Sequence, residues 1–202
     1  MRPVGLEWDA GTQWEREFWG RGFTVAGVDE AGRGPLAGPV VAAAVILDPT
    51  RPLHGVGDSK TLSPERREAL LAMILEQAVA VGVGMVGPRE IERLNILEAT
   101  RVAMRLALAE LDPQPGVVLT DAAPLGGPWR EWALLRADGR SVSVAAASVV
   151  AKVVRDRYMV ALDRQFPVYR FARHKGYGTP EHLEALRRYG PCEAHRRGWR
   201  GT

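Results

Sequence analysis

Two adjacent carboxylates, Asp29 and Glu30, directly follow a short apolar run at residues 25–28. Such a run is typical of a buried strand, so we expect the two acids where that strand reaches the edge of a sheet. Two carboxylates buried side by side are costly, because each raises the pKa of the other and burial adds to the effect. A divalent metal ion offsets this cost and supplies a catalytic group. The alternative is an ordinary solvated acidic turn.

A glycine-rich turn with one arginine, Gly32-Arg33-Gly34, follows these acids almost at once. Neighbouring strand residues point to opposite faces, so Asp29 and Glu30 can serve one site only if the strand ends or bends here. Glycine also lets backbone N–H groups approach a ligand closely. The gap between Gly27 and Gly32 matches that of a nucleotide phosphate loop, but the Lys-Ser/Thr pair of such loops is missing and acids lie inside the gap. The sequence therefore argues against an NTPase.

Two further acids could join the first pair. Asp121 ends a second apolar run in the way that Asp29 ends the first, although a simple turn residue is the commoner explanation for an acid in this position. Asp156 lies in a predicted helix at the edge of an imperfect apolar stripe. A surface ion pair between Asp156 and Lys152, one helical turn away, is the alternative there.

The patterning of apolar residues predicts the elements that must position these side chains. The predicted strands cover residues 23–28, 40–47, 81–86, 117–119 and 132–135. The predicted helices cover residues 7–19, 64–79, 96–111, 143–165 and 180–189. The early strands lack intervening helices, so the order of elements favours an α/β fold with a mixed sheet over an all-parallel, doubly wound one.

Composition sets broad limits on the class of protein. The 202 residues are 46% hydrophobic and 25% charged, which predicts a globular chain with a buried core. No apolar run approaches the length that spans a membrane, and residues 1–22 lack the apolar core of a signal peptide, so we expect a cytoplasmic protein. The single cysteine, Cys192, excludes an intramolecular disulfide and a thiolate zinc cluster.

The basic residues are unevenly distributed. The formal net charge is only +3, but arginines and lysines concentrate in residues 164–200, where three tyrosines and a tryptophan lie among them. Cations that contact phosphates, together with rings that contact sugars or bases, suit a nucleic-acid ligand. The alternative is a solvated helix face with some core aromatic residues.

Five sequence blocks, in order along the chain, resemble the motifs of the type 2 ribonucleases H, the bacterial ribonuclease HII family. The first block is residues 25–35, which contains the adjacent acids and the glycine turn. The other blocks are Gly57-Asp58-Ser59-Lys60-Thr61-Leu62-Ser63, Asn95-Ile96-Leu97-Glu98-Ala99-Thr100, residues 145–156, and His174-Lys175-Gly176-Tyr177-Gly178-Thr179. The resemblance covers the chain from about residue 23 to about residue 198, so a chance match is excluded in practice.

The resemblance implies a ribonuclease H-like fold, with a mixed β-sheet flanked by helices and a helical C-terminal segment. Residues 23–202 would form the catalytic domain, and residues 1–22 an N-terminal extension. The implied activity is that of an endoribonuclease that cuts the RNA strand of RNA–DNA hybrids, and single ribonucleotides embedded in duplex DNA, leaving a 3′-hydroxyl and a 5′-phosphate. The expected partners are these duplexes alone, with no membrane, no obligate protein partner and a monomeric state. The alternatives are a hybrid-binding module without catalysis and another nuclease of this fold, such as a junction resolvase.

The resemblance also assigns the metal-binding and catalytic roles, to Asp29, Glu30, Asp121 and Asp156. Four carboxylates without a suitable histidine pair favour Mg²⁺ or Mn²⁺, because hard oxygen ligands select these ions over zinc. Two ions during catalysis are expected for an in-line attack on a phosphodiester. Asp58 and Asp138 are given no metal role.

Substrate contacts are likewise implied by the resemblance. Gly32-Arg33-Gly34 would recognise the 2′-hydroxyl that distinguishes RNA from DNA. Tyr177 would pack on the deoxyribose beyond the ribonucleotide. The remaining contacts to phosphates and sugars would come from Lys60, His174 and Lys175. One departure bears on the metal site, because Ala122-Ala123 follow Asp121 where family members more often have glycine and then asparagine.

Overall fold

The computed structural model describes residues 6–57, 59–121 and 124–198. Asp58 and Ala122-Ala123 therefore lie outside the described residues, as do the two chain termini. In the described part of the chain, no helix is both long enough and apolar enough to span a membrane.

Five strands form one mixed sheet in the spatial order β3-β2-β1-β4-β5. β1 (Val25–Ala31) pairs antiparallel with β2 (Val40–Leu47), which pairs antiparallel with β3 (Ala78–Val86). β4 (Val117–Thr120) lies parallel to β1, and β5 (Arg130–Ala133) lies parallel to β4. The mixed sheet predicted from the sequence is confirmed, although β1 runs three residues beyond the predicted end and β5 lies two residues earlier than predicted.

The helices follow in chain order: α1 (Trp8–Gly11), α2 (Gln13–Trp19), α3 (Pro64–Gln77), α4 (Pro88–Leu94), α5 (Ile96–Ala109), α6 (Val142–Gln165), α7 (Phe171–His174) and α8 (Pro180–Tyr189). Side-chain caps fix several starts. The Ser63 hydroxyl accepts from the N–H of Arg66, and the Thr179 hydroxyl accepts from the N–H of His182. The single helix predicted for residues 7–19 was wrong, because the chain breaks at Thr12 into α1 and α2. The sequence analysis also missed α4 and α7.

Helices cover both faces of the sheet, as expected. Alternate residues of β2 separate the two layers, since Ala43 and Val45 pack towards α3 and α6 while Ala42 and Ala44 pack towards α5. Gly27 lets α6 approach β1 closely, because a methyl group at this position would lie 2.2 Å from the backbone of α6. The close approach of α6 to β1 determines which residues of the helix contact the acids of the strand.

The N-terminal helices dock onto the start of α6. Glu15 of α2 is fully buried, and its Oε1 accepts hydrogen bonds from the hydroxyls of Ser141 and Ser143 and from the Ser143 N–H. A carboxylate at a helix N-terminus is favourable because of the free N–H groups there. Residues that the sequence analysis treated as an extension therefore help to hold the helix that lies behind β1.

Candidate active site

β1 and α6 lie side by side, so successive residues of β1 meet successive turns of α6. Gly27 packs on the first turn of α6, and the Asp29 carboxylate accepts a hydrogen bond from Ser148, about one turn farther along. Gly32 faces Arg155, about two turns beyond Ser148. Asp29 and the glycine turn are thus placed one after the other along a single helix.

Asp29 is a half-buried carboxylate with a strongly perturbed pKa. Burial raises the pKa of Asp29 well above its ordinary value, and the charge of Glu30 raises it further. The hydrogen bond from Ser148 acts in the opposite direction, and the charge of Asp138 again raises the pKa. Strongly perturbed carboxylates of this kind mark functional sites, and a divalent cation would offset the cost of ionising Asp29.

Asp29 is linked to a second sequence block through a short chain of hydroxyls. The Ser148 hydroxyl lies 2.8 Å from that of Ser59, and both residues are buried. When Asp29 is ionised, Ser148 donates its single proton to the carboxylate, so the Ser59 hydroxyl then donates to Ser148. The sequence block at residues 57–63, which contains Lys60, is therefore connected to Asp29 by hydrogen bonds.

Glu30 follows Asp29 inside the strand rather than after it. β1 stays paired with β2 up to Ala31 opposite Val41, and the bend predicted at Gly32 comes only there, at a φ of +96°. The Glu30 carboxylate accepts from the Arg33 guanidinium at 3.3 Å and lines the cavity described below. Its charge still acts on Asp29, so the two acids interact despite their places in a continuous strand.

Asp121 lies beside Asp29 at the end of the neighbouring strand. β1 and β4 are parallel, with Val28 opposite Thr120, so the two acids occupy the next positions on adjacent strands. Asp121 Oδ1 accepts from the backbone N–H of Arg136 at 3.1 Å. Arg136 adopts a left-handed conformation with a φ of +55°, which is unfavourable for a non-glycine residue and is commonest at functional sites. The meeting of the two strand ends, inferred from the apolar runs, is confirmed.

Asp138 is an acid of this site that the sequence analysis passed over. It lies in a short 3₁₀ turn, Ala137–Gly139, directly before the Ser141 cap of α6. Its carboxylate is close enough for its charge to raise the pKa of Asp29. The turn carries no apolar pattern, so the sequence offered no signal that would bring Asp138 to the ends of β1 and β4.

Asp156 has a different environment. Its carboxylate pairs with Lys152 Nζ at 2.8 Å and with Arg67 Nη2 at 3.7 Å. It follows Ser148, which contacts Asp29, by two turns of α6, or about 12 Å of helix rise. The ion pair with Lys152 that the sequence left as an alternative is therefore present.

Among the described residues, no three His, Cys, Asp or Glu side chains converge as a preformed cation site. The donor set nevertheless fits a hard divalent cation, because the groups gathered around Asp29 are carboxylates. The raised pKa of Asp29 points the same way, since burial and the negative charges of Glu30 and Asp138 are the causes that raise it.

A cavity of about 760 Å³ opens beside these acids. Its wall brings together Glu30, the Gly32-Arg33-Gly34 turn, Lys60 and Tyr177, which the sequence analysis had assigned to metal or substrate binding. Lys152 and Arg67, the two partners of Asp156, also line it. The cavity wall contains more basic than acidic side chains, as expected for a site that binds a polyanion.

The glycine turn and Tyr177 face each other across one end of this cavity. A methyl group on Gly34 would lie 3.8 Å from the Tyr177 ring, and the Leu36 N–H donates to the carbonyl of Gly176 at 2.9 Å. The backbone N–H groups of Arg33 and Gly34 donate to no other described residue. These two residues are exposed, so their N–H groups are available to a ligand.

His174 is engaged within the protein. Its Nε2 donates to the carbonyl of Tyr169 at 2.8 Å, and its Nδ1 accepts from the Gly176 N–H at 3.2 Å, so the ring is neutral with the proton on Nε2. Burial lowers the pKa of His174, which agrees with a neutral ring. The contacts of His174 fix the turn that carries Tyr177.

A pair of histidines that the sequence analysis missed, His182 and His195, supports the same turn. His182 Nδ1 donates to the carbonyl of Tyr177 at 2.9 Å, so its Nε2 must accept from His195 Nε2, 3.0 Å away. Burial is the main cause that lowers the pKa of His195 to about 4. Nothing in the spacing of these residues indicated that they meet.

The basic C-terminal region is partly neutralised by its own acids. Arg170 and Arg173 both donate to Glu181 at 2.8 Å, and Arg187 pairs with Glu184. These cations are therefore less available to a polyanion than the charge distribution of the sequence suggested.

In the absence of metal ions, Asp29→Asn should increase thermal stability at and above neutral pH. Because the pKa of Asp29 is raised in the folded state, stability linked to its protonation is fully present below the pKa of an unfolded aspartate and is lost as the pH rises through the folded-state pKa. The asparagine variant has no such loss. Melting temperatures in EDTA should therefore diverge in favour of the variant as the pH rises above the ordinary pKa of an aspartate. A wild type that is equally stable at the alkaline end would contradict the uncompensated burial of Asp29.

The chain matches the family model described as "Ribonuclease HII" over residues 26–202. Among curated proteins, it is 54% identical over 197 residues to the ribonuclease HII of Geobacillus kaustophilus, a match that covers 97% of this chain and 76% of that protein.

Solved structures show the same fold. The crystal structure of ribonuclease H2 from Pyrococcus horikoshii matches with a TM-score of 0.74 and 30% identity, covering 88% of this chain and 94% of that one. A ribonuclease HIII, "Bst-RNase HIII in complex with Mn2+", matches with a TM-score of 0.62 and 22% identity, over 83% of this chain and 63% of that one.

Proposed function

The chain belongs to the ribonuclease HII family and is an endoribonuclease, and on that premise we propose that it cuts both RNA–DNA hybrids and single ribonucleotides embedded in duplex DNA. One observation carries the proposal. The cavity beside Asp29 presents two unused backbone N–H groups, of Arg33 and Gly34, directly opposite Tyr177. We further propose that a monomer acts on the duplex without an obligate protein partner, leaving a 3′-hydroxyl and a 5′-phosphate.

We propose that divalent ions, Mg²⁺ or Mn²⁺, are held by Asp29, Glu30, Asp121 and Asp138. When bound, two such ions would activate water and stabilise the leaving oxygen of the phosphodiester. The support is the burial and raised pKa of Asp29, the effects of Glu30 and Asp138 on it, and the strand register that places Asp121 alongside. Mn²⁺ in the structure of a ribonuclease HIII of the same fold agrees with this choice of ion.

Asp138 replaces Asp156 in this proposal. The Asp138 charge acts on Asp29, whereas Asp156 is engaged by Lys152 and Arg67 and lies farther along α6. We assign Asp156 the role of holding these two cations in the cavity wall. There Lys152 and Arg67 would face the phosphates of the substrate together with Lys60.

The 2′-hydroxyl would be recognised by the N–H groups of Arg33 and Gly34. A ribose hydroxyl oxygen accepts from such donors, whereas a deoxyribose leaves them without a partner. Sites built to hydrogen-bond a hydroxyl discriminate strongly against an analogue that lacks it, by roughly 10⁴-fold in favourable cases. Tyr177 would pack on the next sugar, where a hydroxyl against the ring face would lose its hydration without gaining a partner.

This arrangement separates the proposal from its alternatives. A hybrid-binding module would not need an acid with a strongly raised pKa beside the strand ends of β1 and β4. A junction resolvase would not need a pair of N–H groups that recognise a 2′-hydroxyl. Both alternatives predict no difference in cleavage between a duplex with one ribonucleotide and an all-DNA duplex.

The proposal is tested by the ratio of turnover on a duplex with one ribonucleotide to turnover on an all-RNA hybrid. Wild type should cut both substrates, and Tyr177→Ala should lose rate mainly on the single ribonucleotide, because packing of the next deoxyribose positions the scissile phosphate. Tyr158→Ala is the matched control, since Tyr158 is about as exposed as Tyr177 but lines a different cavity. If Tyr177→Ala leaves both the ratio and the cut position unchanged, the tyrosine does not recognise the junction.

A further inference from the structure

Two arginines lie buried directly behind the glycine turn. Arg155 of α6 is 1% exposed, and Arg196, which follows α8, is 0% exposed. Arginine is rarely buried this deeply without a specific structural or functional use of its guanidinium. Each of these side chains donates three hydrogen bonds to backbone carbonyls.

Arg155 joins the glycine turn to the segment that carries Tyr177. Its guanidinium donates to the carbonyls of Pro39 at 3.0 Å and Ala37 at 3.2 Å, and also to the carbonyl of Lys175 at 3.1 Å. The planar guanidinium of Arg155 therefore fixes the distance between the glycine turn and the segment that carries Tyr177. A methyl group on Gly32 would lie 2.0 Å from the same side chain, so the turn fits closely against it.

Arg196 acts on the turn itself. It donates to the carbonyl of Gly38 at 2.9 Å, to that of Arg33 at 3.0 Å and to that of Gly32 at 2.6 Å. In a trans peptide, the C=O and the following N–H point in opposite directions. Drawing the carbonyls of Gly32 and Arg33 inward therefore turns the N–H groups of Arg33 and Gly34 outward. These two N–H groups are the ones that donate to no other described residue.

We propose that Arg155 and Arg196 are positioning residues for the selection of RNA over DNA. Arg196 aims the two N–H groups at the 2′-hydroxyl, and Arg155 holds Tyr177 at a fixed distance from them. Arg196 does not line the cavity, and Arg155 lies in its wall with only 1% of its surface exposed. The inference rests on the proposed function of the glycine turn, but the contacts that carry it are independent of the metal ligands.

The main test compares the affinities of one duplex with a single ribonucleotide and its all-DNA counterpart. We would measure them in the Asp29→Asn background, so that the ribonucleotide strand stays intact. Arg196→Lys keeps a positive charge but cannot span three carbonyls, so the ratio of the two affinities should fall roughly ten- to a hundredfold, as expected for the loss of charge-assisted hydrogen bonds. The salt dependence of all-DNA binding should not change, because a buried arginine contacts no phosphate.

Amide hydrogen exchange gives a second readout that does not depend on activity. The N–H groups of Leu36 and Gly38 are hydrogen-bonded, and these two residues flank Ala37, whose carbonyl Arg155 holds. Their protection should fall in Arg155→Lys and Arg196→Lys, while protection in β1 and β2 persists. The control is Arg157→Lys, since Arg157 lies on the same helix but is exposed and pairs with Glu68.

The outcomes separate this inference from the proposed function. An unchanged affinity ratio with unchanged protection of Leu36 and Gly38 would overturn the role of the arginines, as would a loss of protection that extends through the whole sheet. Full retention of the ratio in Arg196→Lys would overturn it too, because charge alone would then suffice. If wild type itself does not prefer the ribonucleotide duplex, the proposed function fails, while the exchange measurement still decides whether the arginines hold the turn.

Discussion

Asp29→Asn should lower the rate of RNA cleavage by about three orders of magnitude or more, while the protein stays folded. Burial and the charges of Glu30 and Asp138 raise the pKa of Asp29, so it lies within a cluster of negative charge. Removing that charge takes away a ligand that divalent ions need. It also relieves repulsion from Glu30, so the fold has no reason to weaken.

Single-turnover cleavage of an RNA–DNA hybrid at saturating Mg²⁺ measures this effect, with circular dichroism as the check on folding. Asp48→Asn is the matched control, because Asp48 is an acid that follows β2 at the opposite end of the sheet from the site. Near-normal cleavage by Asp29→Asn, or a comparable loss in Asp48→Asn, would contradict the assignment.

Asp138→Asn should also reduce cleavage by orders of magnitude, whereas Asp156→Asn should have a much smaller effect. The Asp138 charge acts on Asp29, so it belongs to the same cluster of carboxylates. Asp156 instead pairs with Lys152 and Arg67 in the cavity wall. Its loss would free two cations near the substrate, which should change the binding of phosphates more than the chemical step.

The two variants can be compared in a single experiment, a titration of Mn²⁺ against single-turnover rate. Asp138→Asn should require more Mn²⁺ and reach a lower maximum rate, whereas Asp156→Asn should keep the wild-type dependence on Mn²⁺ and differ mainly in KM. The reverse pattern would return the fourth metal-binding role to Asp156, as the sequence alone had suggested.

The sequence predicted those parts of the site that lie at the ends of apolar runs. Asp29 and Asp121 each follow such a run, and acids at the ends of neighbouring strands meet at one edge of a sheet. The helix that carries Asp156 was predicted almost to the residue, but its apolar stripe did not show which of its polar groups face the strand ends. Asp138, in an irregular turn, had no periodic pattern from which its position could be inferred.

Contacts between segments that are far apart in the sequence could not be predicted from residue spacing. The proximity of Gly34 and Tyr177 was expected only from a family resemblance, and the contacts that Arg155 and Arg196 make were not foreseen. The sequence does not distinguish a buried arginine from an exposed one, because burial is determined by tertiary structure. For the same reason, the pairing of Glu181 with two arginines was not predicted. This pairing weakens the inference of nucleic-acid binding that was drawn from the basic C-terminal composition.

The central claim is that this cavity selects a 2′-hydroxyl beside a metal-binding carboxylate cluster. The most direct measurement compares three duplexes that are identical except for the 2′ substituent of one nucleotide, which is a hydroxyl, a hydrogen or a methoxy group. We expect cleavage in Mg²⁺ only of the duplex with the hydroxyl, since hydrogen offers the N–H groups of Arg33 and Gly34 no acceptor and the methyl of a methoxy group would crowd these N–H groups. Comparable cleavage of the 2′-hydrogen duplex would contradict the account.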